Sequence, residues 1–319
     1  MQVIYGKIRS VDEKNRLISI LIKNKIEYFY LSRTQMKKYN PYLSEGLYVY
    51  FRCTDHKKIH HHVTCYDIIS FIKMARRTRR KLLVYYDIDT IKEGVVNLLN
   101  QDHNRMFLDL EFTMPPYNYN RNNTEKSFVP EVIQYGIYIE NKDSELLDCD
   151  TRLIKPLDKR GLNPRTYSFM HIGPSQMRKA ISFREFYQNL KYFMDLYNPV
   201  IYVWGKNDMS VLDKGYELHG LKPITKRKDF INLMQVIKNY YSIKDDIGLF
   251  KAVEWLEDKK ITEEQGHDAL DDAYMTMKVF HLFKRQITKN KFKIQKPNKK
   301  NNWLCFHNQL FLFYNINNR

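Results

Sequence analysis

The residues best suited to chemistry lie in Phe107-Leu108-Asp109-Leu110-Glu111-Phe112-Thr113, an apolar run that carries two carboxylates two positions apart. Side chains alternate faces along a β-strand, so Asp109 and Glu111 project to the same side. Two carboxylates on one side of a buried strand repel each other unless a cation lies between them, and hard divalent cations take such oxygen ligands. The plain alternative is an amphipathic strand with a wet acidic face. Further along, Val203-Trp204-Gly205-Lys206-Asn207-Asp208 closes an apolar run that starts at Val200, which predicts a strand ending in a turn that presents Asp208. Gly266-His267-Asp268-Ala269-Leu270-Asp271-Asp272-Ala273 then opens a helical stretch in which His267 and Asp272 stand five apart. Five steps of about 100° leave those two roughly 140° apart around a helix, so His267 must lie at or before the helix start. Spacing does not choose between Asp271 and Asp272, and Asp268 is a candidate helix cap. An imidazole exchanges its proton near neutral pH, which makes His267 a candidate general base. The all-oxygen ligand set suits Mg²⁺ or Mn²⁺ better than zinc.

The elements that must carry these groups are legible as alternating strands and helices. Residues 106–112, 132–140 and 146–154 predict an antiparallel meander, 183–196 a helix, 200–204 a strand, and 249–256 and 268–283 helices. The sum is an α/β domain, a mixed sheet covered by helices.

Taken in order, Asp109 and Glu111, then Asp208, then His267 and Asp272 resemble the three motifs of the DEDDh family of 3′-to-5′ exonucleases. The H-x4-D spacing of the third motif selects Asp272 over Asp271. The stretches from Leu108 to Pro115, Pro130-Glu131-Val132-Ile133-Gln134-Tyr135-Gly136 and Ile247-Gly248-Leu249 are similar to the exoribonuclease branch, which includes histone-mRNA and RNA-interference exonucleases and bacterial KapD-type proteins. The resemblance spans 104–286 and implies a ribonuclease-H-like fold. It implies a site in which Asp109, Glu111, Asp208 and Asp272 hold two ions, Mg²⁺ or Mn²⁺, with His267 as general base. The implied reaction is hydrolysis of phosphodiester bonds from the 3′ end of single-stranded RNA, with DNA second, releasing nucleoside 5′-monophosphates. Phe112, Thr113 and Met114, by the same resemblance, line the pocket of the terminal nucleotide. Glu131 and Gln134 belong to the matched stretch, but buried polar positions on a strand explain them without catalysis. A DNA-trimming exonuclease of this fold and a non-catalytic nucleic-acid-binding or adaptor protein are the alternatives. All five catalytic residues are present, which argues against the adaptor.

The remainder bounds the setting. A chain of 319 residues predicts about two domains, and 43% hydrophobic residues suffice for a core in each. The net charge of +17 points to polyanions, nucleic acid ahead of membrane surface. No apolar run approaches the roughly 20 residues of a spanning helix, and Met1 to Ile20 has no secretory pattern, so a cytoplasmic protein is expected. Four scattered cysteines agree. Cys53, His56, His60, His61, His62 and Cys65 are either zinc ligands or a basic hairpin tip, and their spacing matches no common finger.

Residues 1–75 carry β-branched and aromatic runs at 3–8, 17–22, 26–31 and 47–51, which fit a small all-β barrel of the OB or cold-shock kind. Alternation lets only some of Tyr28, Phe29 and Tyr30 face outward, where a base could stack. Residues 76–103 are expected to form a basic linker and a connecting helix over 88–99 packed on the second domain. The linker holds five cations in six positions, Arg76, Arg77, Arg79, Arg80 and Lys81, which would attract a phosphate backbone. A polar surface loop is expected at 118–123. A basic then aromatic tail at 287–319 is expected to pack back on its own protein.

Overall fold

β-Branched and aromatic runs separated by polar turns build the first of two units, Met1–Val95; the second is Val96–Phe292. The structure, a computed structural model, describes residues 1–289 except 23, 118, 120–126, 244 and 260–265. The tail beyond 289, and the loop at 118–123 apart from Tyr119, lie outside the described residues.

In the first unit, strands β1 (Gln2–Asp12), β2 (Leu17–Ile22), β3 (Lys25–Tyr30), β4 (Tyr48–His60) and β5 (Val63–Arg77) pair in the order β3-β2-β1-β4-β5. A parallel pairing of Phe29 with Tyr66 and Tyr30 with Asp67 closes them into a barrel. Helix α1 (Arg33–Tyr39) sits between the third and fourth strands. Ser32 starts it with a reciprocal cap to Gln35, whose amide also donates to the carbonyls of Ile68 and Ile69 and fastens the helix to β5. Ile8, Ile18, Ile20, Phe29, Phe51, Phe71 and Met74 fill the interior. A closed five-stranded barrel of this kind is OB-like.

Two expectations for this region change. The cationic run is not a free linker, because β5 continues to Arg77 and turns into β6 (Leu82–Asp87), which pairs along β5. Helix α2 (Ile88–Leu99) forms where expected, but Ile88 and Ile91 pack on the barrel core. Nor do the Cys and His side chains between 53 and 65 gather around a metal among the described residues. Cys53 and Cys65 are buried thiols, and His60 stacks on Tyr30 and hydrogen-bonds Asp67 at 2.7 Å. His61 and His62 form the hairpin tip with φ of 49° and 65°, the left-handed pair that a tight two-residue hairpin requires.

The second unit is built on β7 (Arg105–Phe112), β8 (Val132–Glu140), β9 (Leu146–Leu153), β10 (Val200–Val203) and β11 (Phe230–Asn232), ordered β11-β10-β7-β8-β9. The expected antiparallel meander is β7-β8-β9, and β10 and β11 run parallel to β7. The helices are α3 (Pro164–Phe169), α4 (Pro174–Arg178), α5 (Phe183–Tyr197), α6 (Asn207–Leu218), α7 (Leu233–Tyr241), α8 (Leu249–Glu257) and α9 (Ala269–Lys289). Met106, Leu108 and Leu110 of β7 pack with Phe186, Leu190, Leu212 and Tyr216 of α5 and α6 on one face. On the other face Phe107 meets Phe280 of α9 at 5.6 Å between ring centroids. This is a ribonuclease-H-like mixed α/β fold.

An ion cluster ties β7, β8 and α9 together. Arg105, 1% exposed, donates to Glu140 at 2.5 Å, and His281 of α9 meets the other Glu140 oxygen at 2.8 Å. Burial alone would raise the Glu140 carboxyl; the hydrogen bonds from His281 and Arg105 outweigh it and hold it below its usual range. Among the described residues no helix is long and apolar enough to cross a membrane.

Candidate active site

Strand alternation places Asp109 and Glu111 on the same side of β7 as Phe107, the side that α9 covers. Their partners come from two helix starts. Asp208 lies in the first turn of α6 and is 5% exposed. Its Oδ1 accepts the Leu110 N–H at 3.1 Å, beyond the last pairing of β7 with β10. Asp272, also 5% exposed, lies in the first turn of α9. Ligand atoms of Glu111, His267 and Asp272 all lie within 4.8 Å of one another. Asp271 is exposed.

The expected break between His267 and the helix is present. Asp268 accepts the N–H groups of Leu270 at 2.9 Å and Asp271 at 3.3 Å and so caps α9. His267 stands before that cap in a left-handed conformation, φ 47°. Its ring stacks on Phe169 at 3.9 Å, and its Nδ1 is 3.9 Å from a Glu111 oxygen.

The crowding has an electrostatic signature. Burial, and then the charges of Asp272, Asp208 and Asp268, push the Glu111 carboxyl up to about 8. Burial pushes Asp208 up to about 7, with Asp272 adding to the rise and backbone N–H groups opposing it. Asp109 is raised well above its ordinary value by burial and by Asp208, Asp272, Glu111 and Asp268. His267 moves down, through burial and the nearby His171, and so stays neutral at neutral pH.

Two residues of β8 set this geometry, and sequence reading gave them no positional role. Gln134 pairs with Glu111 across the ladder; its amide donates to Asp268 at 2.8 Å and accepts the Ala269 N–H at 3.3 Å, which holds the start of α9 to the sheet. Gly136 pairs with Asp109, and a Cβ there would lie 2.1 Å from the Ala269 carbonyl oxygen and 2.4 Å from the Leu270 nitrogen. Only glycine lets the helix start come this close. A glycine inside an apolar strand is the signal that marks such an approach. Glu131 is structural, as expected: its carboxylate accepts the N–H groups of Leu157 and Asp158, both at 2.7 Å.

The structure does not bring Phe112, Thr113 or Met114 into the cluster. Phe112 packs on the α5–α6 core, the face opposite the carboxylates. Thr113 is 2% exposed and its hydroxyl accepts the Glu131 N–H at 3.0 Å. The Met114 N–H and carbonyl bond to Thr166 and Asn163. A cleft of about 370 Å³ opens beside Asp109 and Asp272, walled by Trp204, Met234 and Ile247-Gly248-Leu249. The Trp204 indole donates to the Ile247 carbonyl at 3.0 Å. In the first unit Arg76 is engaged by Ser44 and the Glu45 carbonyl, while Arg77, Arg79 and Arg80 are exposed.

Comparison with known proteins identifies the family. Residues 106–280 match the family model described as Exonuclease (RNase_T). The chain is 29% identical over 192 residues to a probable 3′-5′ exonuclease, KapD, of Bacillus subtilis (strain 168), a match that covers 60% of this chain and 88% of that protein. Among solved structures it is similar to the nuclease domain of 3′hExo, a DEDDh family member bound to rAMP, with 21% identity, a TM-score of 0.49, and 59% of this chain and 94% of that one covered. It is also similar to E. coli Exonuclease I in complex with a dT13 oligonucleotide, with 16% identity, a TM-score of 0.43, and 57% and 40% covered. The match over more than half of its length, together with the ordered acidic residues and histidine, means that the chain belongs to the exonuclease family, with the DEDDh arrangement of 3′-to-5′ exonucleases.

Proposed function

We propose that this protein hydrolyses phosphodiester bonds from the 3′ end of single-stranded RNA, in a reaction that depends on divalent cations and releases nucleoside 5′-monophosphates. The observation that carries the reading is the convergence of buried carboxylates and one imidazole on the α9 side of β7, with Glu111 and Asp208 pushed up to about 8 and 7. A buried, mutually repelling set of hard oxygen donors fits Mg²⁺ or Mn²⁺. Asp109, Glu111, Asp208 and Asp272 would hold two such ions. Bound there, the cations supply positive charge that offsets the phosphodiester and stabilises attacking and leaving oxygens.

The chain's own groups supply the rest. His267, neutral at neutral pH, takes the proton of the attacking water. Phe169 stacks on the face of its ring, and Gln134 and Gly136 hold the α9 start that carries Asp272. The terminal nucleotide enters the cleft beside Trp204, and the backbone of Phe112, Thr113 and Met114 borders the strand end. RNA ranks ahead of DNA because the stretches around the motifs resemble the exoribonuclease branch. On the barrel, exposed Arg77, Arg79 and Arg80 attract the phosphate backbone. Scattered free thiols suit a cytoplasmic setting.

The test is incubation with matched 5′-labelled single-stranded RNA and DNA in Mg²⁺, Mn²⁺ or EDTA, beside Asp109→Ala. A metal-dependent ladder shortening from the 3′ end, absent in the variant and faster on RNA, is expected. Faster shortening of DNA would make it a DNA-trimming enzyme. No ladder from either polymer, with binding intact, would overturn the catalytic reading.

A further inference from the structure

The outward face of β1 and β4 carries a surface that the active site does not use. Tyr5 lies across from Tyr50, Lys7 across from Tyr48 and Val3 across from Arg52. Alternation turns these outward, while Val49 and Phe51 between them enter the barrel core. Tyr5 is 67% exposed and Tyr50 39%. The Tyr5 ring lies 6.2 Å from Tyr48, nearly parallel at 18°, and 6.5 Å from Tyr50, edge-on at 70°. Single tyrosines are often partly exposed, but rings gathered on one outward strand face form a patch of the kind that marks an interaction surface.

The charges around the rings indicate what covers it. Lys7 and Arg52 are exposed, and among the described residues neither enters an ion pair. Lys73, across from Tyr50 on β5, is by contrast bound to Asp87 at 2.6 Å. An apolar protein partner would have to bury Lys7 and Arg52 without counter-charge, which is costly. Single-stranded nucleic acid meets both features at once: its bases stack on ring faces and its phosphates pair with cations.

We propose that the β1–β4 face is a stacking platform for single-stranded nucleic acid, with Tyr5 and Tyr50 receiving bases and Lys7 and Arg52 facing phosphates. It deepens the substrate reading above and rests on it for the choice of polymer. It would add grip on a long strand to whatever hold the active site has on the 3′ end.

The test uses the full chain carrying Tyr5→Ala with Tyr50→Ala. Binding of a labelled oligouridylate of about 20 nucleotides is measured in EDTA, and hydrolysis of a trinucleotide, too small to fill the active site and a stacking platform together, in Mg²⁺. Base–aromatic stacking predicts a loss of about 5- to 150-fold per base, so at least a tenfold weaker complex is expected, with trinucleotide hydrolysis unchanged. Tyr5→Phe with Tyr50→Phe should restore binding. Lys7→Ala with Arg52→Ala should lower the slope of log affinity against log salt by roughly 1.4. Unaltered binding in the alanine variant, or a loss that phenylalanine does not recover, would overturn the platform. A change in sedimentation without a change in binding would overturn it too, and make the face a protein contact. If the unmodified chain cuts nothing while the loss and rescue of binding persist, the nuclease reading falls and the platform stands.

Discussion

In the first unit the cations stand outside, with Lys7, Arg52, Arg77, Arg79 and Arg80 exposed; in the second unit the acids stand inside, with Glu111, Asp208 and Asp272 at 7%, 5% and 5% exposure. Charges in water are screened and can be spaced loosely. Buried like charges work against folding, and two of the three have a specific support: the Leu110 N–H for Asp208, and Gln134 and Gly136 for the helix start that carries Asp272. On the reading proposed above, the net charge of +17 points to the kind of partner, and the crowded acids to the place where bonds are broken. The division is between gripping and cutting.

Asp109→Ala should separate the two most sharply. Hydrolysis should fall by about a thousandfold or more while oligonucleotide affinity in EDTA stays within about twofold. Loss of both would break the division. His267→Ala should cost about 10²- to 10⁴-fold in kcat, the range for a general base, without lowering Tm. An equal loss of stability would make the histidine structural. Gly136→Ala pushes a methyl group into the Ala269 backbone, so about a tenfold loss of kcat and a destabilisation of about 1–3 kcal/mol are expected, the usual range for overpacking. Full activity in that variant would show that α9 has room to move.

The acids also predict a pH effect. Glu111 and Asp208 titrate near 8 and 7 in the folded chain and near their ordinary values, about 4, when unfolded. Without metal the folded state then holds more protons than the unfolded one between about pH 4 and 8, so stability falls as pH rises through that window. Melting in EDTA should come several degrees lower at pH 8 than at pH 5, and Mg²⁺ should raise it more at pH 8. A flat profile would mean that the carboxylates are not strained. The smallest effect belongs to the outer charges: Arg77→Ala, Arg79→Ala and Arg80→Ala together should weaken long-strand binding several-fold and reduce its salt slope by roughly 2, with kcat unchanged.

Much of this was legible in sequence because it rests on local pattern. Leu17–Ile22, Ile88–Leu99 and Val132–Glu140 have the bounds their periodicity predicts. The two-residue spacing of Asp109 and Glu111 places both on the α9 side, and the 140° mismatch puts His267 ahead of its helix. What stayed hidden depends on partners far along the chain. Phe169 meets His267, and Gln134 meets Asp268, across about a hundred residues or more. Three-residue β11 and the short α3 and α4 are fixed by caps and neighbours rather than by a repeat. Alternation already sets Phe112 opposite Asp109, and the structure seats it in the core.

Helix α9 is fastened to β8 at two places: at Gln134 and Gly136 near its start, and through His281 to Glu140 farther along. Between those fastenings it measures a fixed span, twelve residues of rise or about 18 Å. One residue inserted there would turn everything beyond it by about 100°. Either His281 would swing away from Glu140 or Asp272 would leave Glu111. The helix is thus a ruler whose length, as much as its side chains, keeps the acidic cluster in register.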